Sequence, residues 1–324
     1  MIVTVTPNPA LDLTWHVASL TVGGTHRADA GQARAGGKGL NVARVAHAEG
    51  AHVIALTTAG GATGEEFAAE LASSGVPHVL VPVAAATRRS IALVDEALGD
   101  TTIVNERGIA PTTAEWQALR GAVADALRNA DEPARVLVIS GSLPPGLPDD
   151  ALPALIRLGR DAGVPVIADT SGPALLAAAD AGASVLKPNE HELRDATGLD
   201  DPIDGARELI RRGASLVLLS LGAEGMLAVS ATASGDVSVL HARLDAALAG
   251  NPTGAGDAGV AACAALMDAG VDDPEQILRR ATAWSAAAVL MPLAGEIHPS
   301  WPELEAALIL TAGPAPASDP KETR

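Results

Sequence analysis

The stretch "GNPTGAGDAG", Gly250 to Gly259, has the Gly-x-Gly-x-x-Gly spacing that is typical of dinucleotide-binding sites. It also places Asp257 where the pyrophosphate of a dinucleotide would have to approach. A dinucleotide site needs a buried strand directly before the glycines and an acid about 20 residues after them, at the end of the next strand. The preceding "RLDAALAGNPT" does not have the pattern of a buried strand, and Asp272 and Asp273 open another helical segment. The context therefore argues against NAD binding.

What remains is a glycine-rich turn that leads into a helix with Asp257 in its first turn. Backbone N–H groups in a first turn lack helical partners and carry the positive end of the helix dipole. Glycines let an anion approach these groups closely. A carboxylate beside such an anion is useful if it removes the proton from a hydroxyl that attacks a phosphoryl group. The alternative, that Asp257 only caps its own helix, stays open at this point.

Other catalytic motifs are absent from the sequence. Lys38 is followed by Gly39 without the first glycine of a GxxxxGK[ST] loop, and there is neither HExxH nor paired CxxC. The stretch "SGSLPPG" is not a nucleophile elbow, because Leu-Pro-Pro follows Ser142. Phosphoryl transfer to a hydroxyl is thus the chemistry that the residues favour.

Composition restricts the partners. The chain has 324 residues and is 48% hydrophobic, enough for one large α/β domain or two smaller ones. With 22 basic and 39 acidic residues its net charge is −17, which argues against nucleic acid and anionic membranes as partners. The single cysteine, Cys263, lies in an Ala-rich run and is expected to fill the core. Neither a signal peptide nor a membrane span is recognisable, so we expect a soluble cytoplasmic protein.

Apolar runs alternate with Ala-rich amphipathic segments along most of the chain. The predicted strands are 2–6, 52–56, 135–139, 164–168, 184–187 and 216–220. The predicted helices are 39–49, 64–74, 113–129, 149–162, 173–181, 203–212, 255–269 and 274–290. This alternation predicts a mostly parallel sheet that is covered by helices on both faces.

Two regions break this rhythm. Residues 12–35 and 87–107 alternate between polar and apolar side chains, which is typical of strands with one solvated face. Both flank the glycine-rich "AGGKG" in the predicted fold. We interpret them as a small separate β-sheet, a candidate lid, and the alternative is a pair of edge hairpins of the main sheet.

Seven motifs occur in a fixed order along the chain. They are "TPNPALD" (6–12), "GGKGLNVARVAHAEG" (36–50), "AGGATGEEF" (59–67), "ISGSLPPG" (139–146), "LKPNEHEL" (186–193), "SLGAEG" (220–225) and "NPTGAGDAG" (251–259). With them the chain resembles the PfkB branch of the ribokinase-like sugar kinases. The resemblance implies a three-layer α/β/α kinase domain over residues 1–311 with a small β-lid, and a homodimer formed through that lid. Residues 312–324 are predicted to be a disordered tail.

The resemblance also assigns a nucleotide side. It implies Asp257 as general base and an anion hole made by the amides of Gly254, Ala255 and Gly256. It places Lys187 near the phosphates of ATP and Ser220, Gly222 and Gly225 by the nucleotide. Asn189 and Glu192 would organise Mg²⁺, which prefers few protein oxygens together with phosphate and water. A monovalent cation is a further cofactor that the resemblance suggests.

On the sugar side, the matching positions are Asp12, Gly37, Lys38, Asn41 and Arg88, with Ser142 as a weaker contact. Arg88 offers a planar fork for a phosphate that is already on the substrate; the alternative is an exposed lid arginine without a ligand. Two departures from the family pattern are Pro252, which removes a backbone donor, and Ser90, which stands where an amide is common.

The resemblance thus predicts ATP-dependent phosphorylation of a phosphorylated ketohexose. Fructose 1-phosphate, converted to fructose 1,6-bisphosphate, is the leading candidate. Tagatose 6-phosphate and fructose 6-phosphate are alternatives within the same fold. From another class, a non-catalytic sugar-phosphate or nucleotide sensor stays open, although a sensor has no need of Asp257.

Overall fold

A computed structural model describes residues 1–232 and 236–313 of the chain. The chain divides into two compact units, Met1–Val166 and a second unit that begins at Ile167. Each unit is built from strands and helices that alternate along the chain, as the apolar periodicity predicts.

The first unit contains eight strands and four helices. In chain order they are β1 (Ile2–Thr6), β2 (Ala10–Val17), β3 (Gln32–Gly36), α1 (Lys38–Ala48), β4 (Val53–Ala59), α2 (Gly61–Ser73), β5 (His78–Pro82), β6 (Arg88–Asp95), β7 (Asp100–Asn105), α3 (Thr113–Arg128), β8 (Val136–Ser140) and α4 (Ala151–Asp161). Strands β8, β1, β4 and β5 are neighbours in that order. The pairs β1–β8, β1–β4 and β4–β5 are all parallel. Every residue of β1 and β8 is buried, including Thr4, Thr6 and Ser140, as expected for strands that are covered on both faces.

The two regions with alternating polarity form a second, small sheet. Its strand order is β3-β2-β6-β7, and it is separate from the parallel strands. Strand β2 pairs parallel with β6 and antiparallel with β3, which puts Asp12 opposite both Ser90 and Arg34. All residues of β7 are exposed. The alternative of edge hairpins is therefore wrong, and the separate small sheet is confirmed.

The second unit continues the alternation and ends in antiparallel strands. Its elements are β9 (Val166–Asp169), α5 (Pro173–Asp180), β10 (Val185–Leu186), α6 (Glu190–Thr197), α7 (Pro202–Arg212), β11 (Leu216–Ser220), β12 (Met226–Ala231), β13 (Val237–Arg243), α8 (Ala255–Asp268), α9 (Pro274–Val289), α10 (Trp301–Ala306) and β14 (Ile309–Ala312). The strand order is β9-β10-β11-β12-β13-β14. The first three strands are parallel, and β11 through β14 pair antiparallel.

All predicted strands and helices correspond to observed elements, with small shifts at their ends. The sequence pattern missed β5, α6, β12, β13, α10 and β14. The missed helices have eight and six residues, too few turns to establish a helical period. Strands β12, β13 and β14 pair antiparallel, so they fall outside the regular alternation of parallel strands and helices on which the prediction relied.

Two further expectations concern the core and the C-terminal tail. Cys263 is fully buried in α8, and burial raises the pKa of its thiol to about 12, which fits a core residue and not a nucleophile. Strand β14 runs through Ala312, while residues 314–324 of the predicted tail lie outside the described residues. Among the described residues, no helix combines the length and apolarity needed to cross a bilayer.

Candidate active site

Asp12 lies on β2 of the small sheet, in the first unit. Its side chain packs against Gly36 so closely that a Cβ at Gly36 would overlap the carboxylate. Burial raises the pKa of Asp12 to about 6, against the opposing effects of Arg88 and Arg34. A partly buried carboxylate that faces these cations can accept hydrogen bonds from hydroxyl groups of a ligand.

Arg88 begins β6 and is held by backbone carbonyls. Its Nε and Nη2 donate to the carbonyl of Asn8 at 3.4 and 3.2 Å, and Nη1 donates to the carbonyl of Glu106 at 3.0 Å. Burial lowers the pKa of Arg88, and Asp12 and Glu106 oppose this shift. Three of the five N–H groups of an arginine are thus engaged, and among the described residues none takes the other two. The predicted fork is therefore partly used to orient the side chain.

Asn8 contacts the predicted sugar-side residues, and the sequence reasoning missed it. Besides its carbonyl, which Arg88 contacts, its Nδ2 donates to Ser142 Oγ at 3.1 Å. Gly108, with φ of 80°, lies so near that a Cβ there would be 2.7 Å from Asn8 Oδ1. Asn8 therefore joins two predicted sugar-side residues. Its signal was available, because it is a polar residue between two prolines in the motif that ends at Asp12.

Gly37, Lys38 and Asn41 lie together at the start of α1. Gly37 precedes the helix with φ of 121°, a conformation that favours glycine, and a Cβ there would be 2.6 Å from Thr6 Cγ2. Its carbonyl accepts the N–H of Asn41 at 3.1 Å, which begins the helical ladder. Gly141, next to Ser142, would place a Cβ 3.8 Å from Cβ of Lys38. The structure thus brings the start of α1 beside the loop that carries Ser142.

In the second unit, the Gly-Ala-Gly turn begins α8. Gly254 precedes the helix in the left-handed region, with φ of 84°. Gly256 lies beside a cation, since a Cβ there would be 3.1 Å from Lys187 Nζ. Asp257 is 5% exposed in the first turn of the same helix. The first turn of α8 therefore carries a buried carboxylate and has an ammonium group beside it.

The segment before this helix is fixed by its own hydrogen bonds. Asn251 Oδ1 accepts the N–H of Thr253 at 3.0 Å, and Asn251 Nδ2 donates to the carbonyl of Pro292 at 3.0 Å. The carbonyl of Pro252 accepts the N–H of Ala255 at 3.2 Å. One of the three amides predicted to bind an anion is thus already engaged in a turn. An anion here would share that amide or rely on Gly254, Gly256 and Lys187.

Lys187 is a buried cation at the end of β10. Its side chain is 4% exposed, and Nζ donates to Ser220 Oγ at 2.8 Å. Ser220 in turn forms a bridge with Asn189, so three predicted nucleotide-side residues lie together. Gly225 has a packing role, because a Cβ there would overlap the carbonyl of Ala242. Gly222 has φ of 59° with open space around it, so its backbone conformation explains the glycine.

Asn189 and Glu192 form a reciprocal helix cap. Asn189 Oδ1 accepts the N–H of Glu192 at 2.8 Å, and Glu192 Oε2 accepts the N–H of Asn189 at 3.0 Å. One oxygen of each predicted metal residue therefore serves the start of α6. No cluster of three or more His, Cys, Asp or Glu that could hold a metal occurs within residues 1–232 and 236–313. A carboxylate has several lone pairs, so the pair still fits a hydrated Mg²⁺ held through water and phosphate.

Comparison with known proteins identifies the family of the chain. Residues 6–301 match the pfkB family of carbohydrate kinases. The chain is 38% identical over 292 residues to 1-phosphofructokinase of Xanthomonas campestris, covering 87% of this chain and 89% of the relative. It is 38% identical over 267 residues to ATP-dependent 6-phosphofructokinase isozyme 2 of Mycobacterium tuberculosis, covering 81% and 76%.

A solved structure shows the same fold. Escherichia coli phosphofructokinase-2 in complex with fructose-6-phosphate aligns with a TM-score of 0.83 at 30% identity, covering 94% of this chain and 98% of that one. The predicted ribokinase-like α/β fold, with mostly parallel strands and a second small sheet, is therefore confirmed.

Proposed function

Because this chain belongs to the pfkB family of carbohydrate kinases and is an ATP-dependent sugar-phosphate kinase, we propose that its acceptor is fructose 1-phosphate. The reaction transfers the γ-phosphoryl group of ATP to the free primary hydroxyl of the sugar and yields fructose 1,6-bisphosphate. The observation that carries the proposal is the tethered Arg88 next to Asp12.

On the sugar side, local charge offsets the acidity of the whole chain. A net charge of −17 repels a dianionic substrate, so capture depends on local cations. Arg88 keeps two N–H groups for a phosphate while its other donors fix its orientation. Asp12 and Asn41 would bind sugar hydroxyls, and Lys38 adds a second positive charge. Such an arrangement suits a polyol that carries a phosphate better than an unphosphorylated sugar.

On the nucleotide side, the start of α8 is suited to an anion. Two independent positive features support this, the helix N-terminus and the ammonium group of Lys187 beside Gly256. Asp257 would take the proton of the attacking hydroxyl while the Gly254 and Gly256 amides stabilise the transferred group. The presence of this carboxylate favours an enzyme over a sensor. Bound Mg²⁺ would neutralise charge on the phosphates, with Asn189 and Glu192 holding its water shell.

The test is to measure kcat/KM with fructose 1-phosphate, fructose 6-phosphate, tagatose 6-phosphate and unphosphorylated fructose. We expect fructose 1-phosphate to be used most efficiently and fructose least. Fructose 1-phosphate and fructose 6-phosphate give the same bisphosphate, so product analysis cannot separate them and each rate must be measured. Preference for fructose 6-phosphate would favour the second candidate, 6-phosphofructokinase, as in the Mycobacterium tuberculosis relative. Equal use of fructose would refute phosphate recognition.

A further inference from the structure

A partly buried ion pair joins two helices to the edge of the small sheet. Arg44 of α1 donates from Nη2 to Glu70 Oε2 of α2 at 2.6 Å, and the arginine is only 8% exposed. The same glutamate oxygen accepts the N–H of Ala35 at 2.7 Å. Arg44 Nη2 also donates to the carbonyl of Ala35 at 3.2 Å. Both backbone groups of Ala35 are thus held by one ion pair.

The residue that is held lies on an edge strand. Strand β3 borders the small sheet, and Ala35 pairs with Leu11 of β2 in the antiparallel register. Edge strands present unpaired N–H and C=O groups on their outer side. Here the Glu70 carboxylate accepts the outer N–H of Ala35, and the Arg44 guanidinium donates to its C=O, as the backbone of a neighbouring strand would. The ion pair therefore fastens the small sheet to α1 and α2.

Ala35 lies close to two predicted sugar-side residues, Asp12 and Lys38. Gly36 packs on the Asp12 carboxylate without room for a side chain. Lys38 begins α1, the helix that also carries Arg44. A shift of Ala35 would therefore change the surroundings of Asp12 and the start of α1 together.

We propose that the Arg44–Glu70 pair positions Asp12 and Lys38 for the sugar phosphate, acting through Ala35. The inference rests on the proposed function, in which Asp12 and Lys38 bind the acceptor. Arg44 and Glu70 are positioning residues, since they bond to each other and together hold both backbone groups of Ala35. Their charges also act on the Asp12 carboxyl, in opposite directions. Replacing a buried ion pair by apolar residues often maintains stability, but apolar side chains cannot hold both backbone groups of an edge residue.

The first test is Glu70→Gln, which keeps the shape of the side chain and removes its charge. Both hydrogen bonds of the carboxylate become weaker, because charge-assisted bonds are about twice as strong as neutral ones. We expect KM for the sugar phosphate to rise about tenfold, with KM for ATP changed by less than about twofold. Arg44→Lys, which keeps the charge but loses the planar fork, should produce the same split. Equal increases in both KM values, or none, would overturn the inference.

A matched control separates positioning from stability. Arg280 and Glu305 form another ion pair at 2.6 Å, and the side chains of Glu305 and Glu70 are both 24% exposed. Glu305→Gln should lower the midpoint of thermal unfolding by about as much as Glu70→Gln does. It should leave the KM values for the sugar phosphate and for ATP at the wild-type level. If Glu305→Gln raises KM for the sugar phosphate as Glu70→Gln does, the effect is general destabilisation and the positioning role is wrong.

Hydrogen exchange of residues 32–37 without ligand provides a readout that does not depend on the substrate. Glu70→Gln should speed exchange there about tenfold, whereas Glu305→Gln should not. If the wild type phosphorylates no sugar phosphate, the proposed function fails, and exchange alone then decides whether the ion pair holds Ala35. Unchanged exchange in Glu70→Gln would overturn the inference in either case. If Glu70→Gln does not fold, Arg44→Lys carries the same measurements.

Discussion

Three glycines at the start of α8 differ in what surrounds them. Gly254 has φ of 84°, and a Cβ added there would lie 2.8 Å from Cα and Cβ of Ala294. Gly256 leaves room for the ammonium group of Lys187. Gly259 packs against α9, because a Cβ added there would lie 2.6 Å from Ser285 Oγ. Chain conformation, approach of a cation and helix packing therefore explain the Gly-x-Gly-x-x-Gly spacing without a dinucleotide.

Asp257 at the start of α8 is the residue on which the chemistry depends. Asp257→Asn keeps the size of the side chain and removes its ability to accept a proton. We expect kcat to fall about a hundredfold or more, because general bases contribute about 10²–10⁴-fold to rates. Binding of ATP and sugar phosphate, measured by calorimetry, should stay nearly unchanged. Near-normal turnover would leave Asp257 with a favourable interaction with the helix dipole only, since Gly254 and not Asp257 is the N-cap of α8.

Replacing Arg88 tests whether the phosphate of the substrate is the group that the protein recognises. Arg88→Ala should lower kcat/KM for the sugar phosphate about tenfold to a few hundredfold, because charged hydrogen bonds contribute about 1.5–3 kcal/mol each. KM for ATP should change little. Arg89→Ala is the matched control, since the neighbouring arginine is exposed. If the two variants behave alike, Arg88 is an ordinary lid arginine.

The raised pKa of Asp12 predicts that the stability of the protein depends on pH. Its pKa is about 6 in the folded protein and near 3.8 in the unfolded chain, so the folded state binds more protons between these values. Ionising Asp12 therefore costs stability as pH rises from about 4 to 6. Asp12→Asn should stabilise the protein by about 1–3 kcal/mol at pH 7, with no gain below about pH 4. Denaturant unfolding across this range is the measurement.

The exposed Asp29 provides the control for Asp12. Asp29→Asn removes a charge of the same sign without opening a buried environment. It should leave the pH dependence of unfolding at the wild-type shape. A gain at pH 7 in Asp29→Asn equal to that in Asp12→Asn would trace the effect to net charge and not to burial.

Helix α4 packs on its strands through a glycine. A Cβ at Gly159 would lie 2.5 Å from Val166 Cγ2 and 3.1 Å from Leu137 Cδ2. Gly159→Ala should therefore destabilise the protein by about 1–3 kcal/mol, as overpacking does. Gly121 of α3 has open space around its Cβ position, so Gly121→Ala should stabilise by about 0.5–1 kcal/mol. Equal effects in thermal unfolding would contradict this account of α4.

Hydrogen exchange of the small sheet tests whether the sheet closes over the bound substrate as a lid. If strands β2, β3, β6 and β7 cover the sugar, binding should reduce their local opening. Hydrogen exchange of these strands should slow when fructose 1-phosphate and a non-hydrolysable ATP analogue are added together. The buried strand β8 is the reference, because its exchange should not respond. Unchanged exchange in the small sheet would favour a static platform.

Helix α6 shows how one spacing supports two interpretations. Asn189-x-x-Glu192 matches the family motif assigned to Mg²⁺, and the same spacing is a capping box. The structure contains the capping box, which would have predicted the missed helix α6. Both roles fit, since the cap uses one oxygen of each side chain.

Within the described residues, several arginines pair with an acid three or four residues away on the surface of the same helix. Examples are Arg207–Asp204, Arg211–Glu208 and Arg279–Glu275. Such pairs contribute little to stability. Arg44 and Arg88 differ, because both are at least partly buried and both donate to backbone carbonyls. In an acidic chain these two cations are placed where a phosphorylated ligand is proposed to bind.

The sequence by itself determined the local features of this protein. Buried strands such as β1 and β8 consist mainly of Val, Ile and Leu with a few hydroxyl residues, and this composition is what burial on both faces favours. The alternating polarity of residues 12–35 and 87–107 likewise predicted a sheet with a solvated face. The ordered motifs carried the family and hence the kinase activity.

Tertiary structure alone decided which distant groups meet. Arg88 donates to a carbonyl 80 residues away along the chain, and Arg44 pairs with Glu70 26 residues away. Pro252 engages the Ala255 amide, and the role of Asn8 depends on contacts from two other segments. Periodicity reports how each segment is buried, whereas hydrogen-bond partners depend on the pairing of segments in space, which no local pattern encodes.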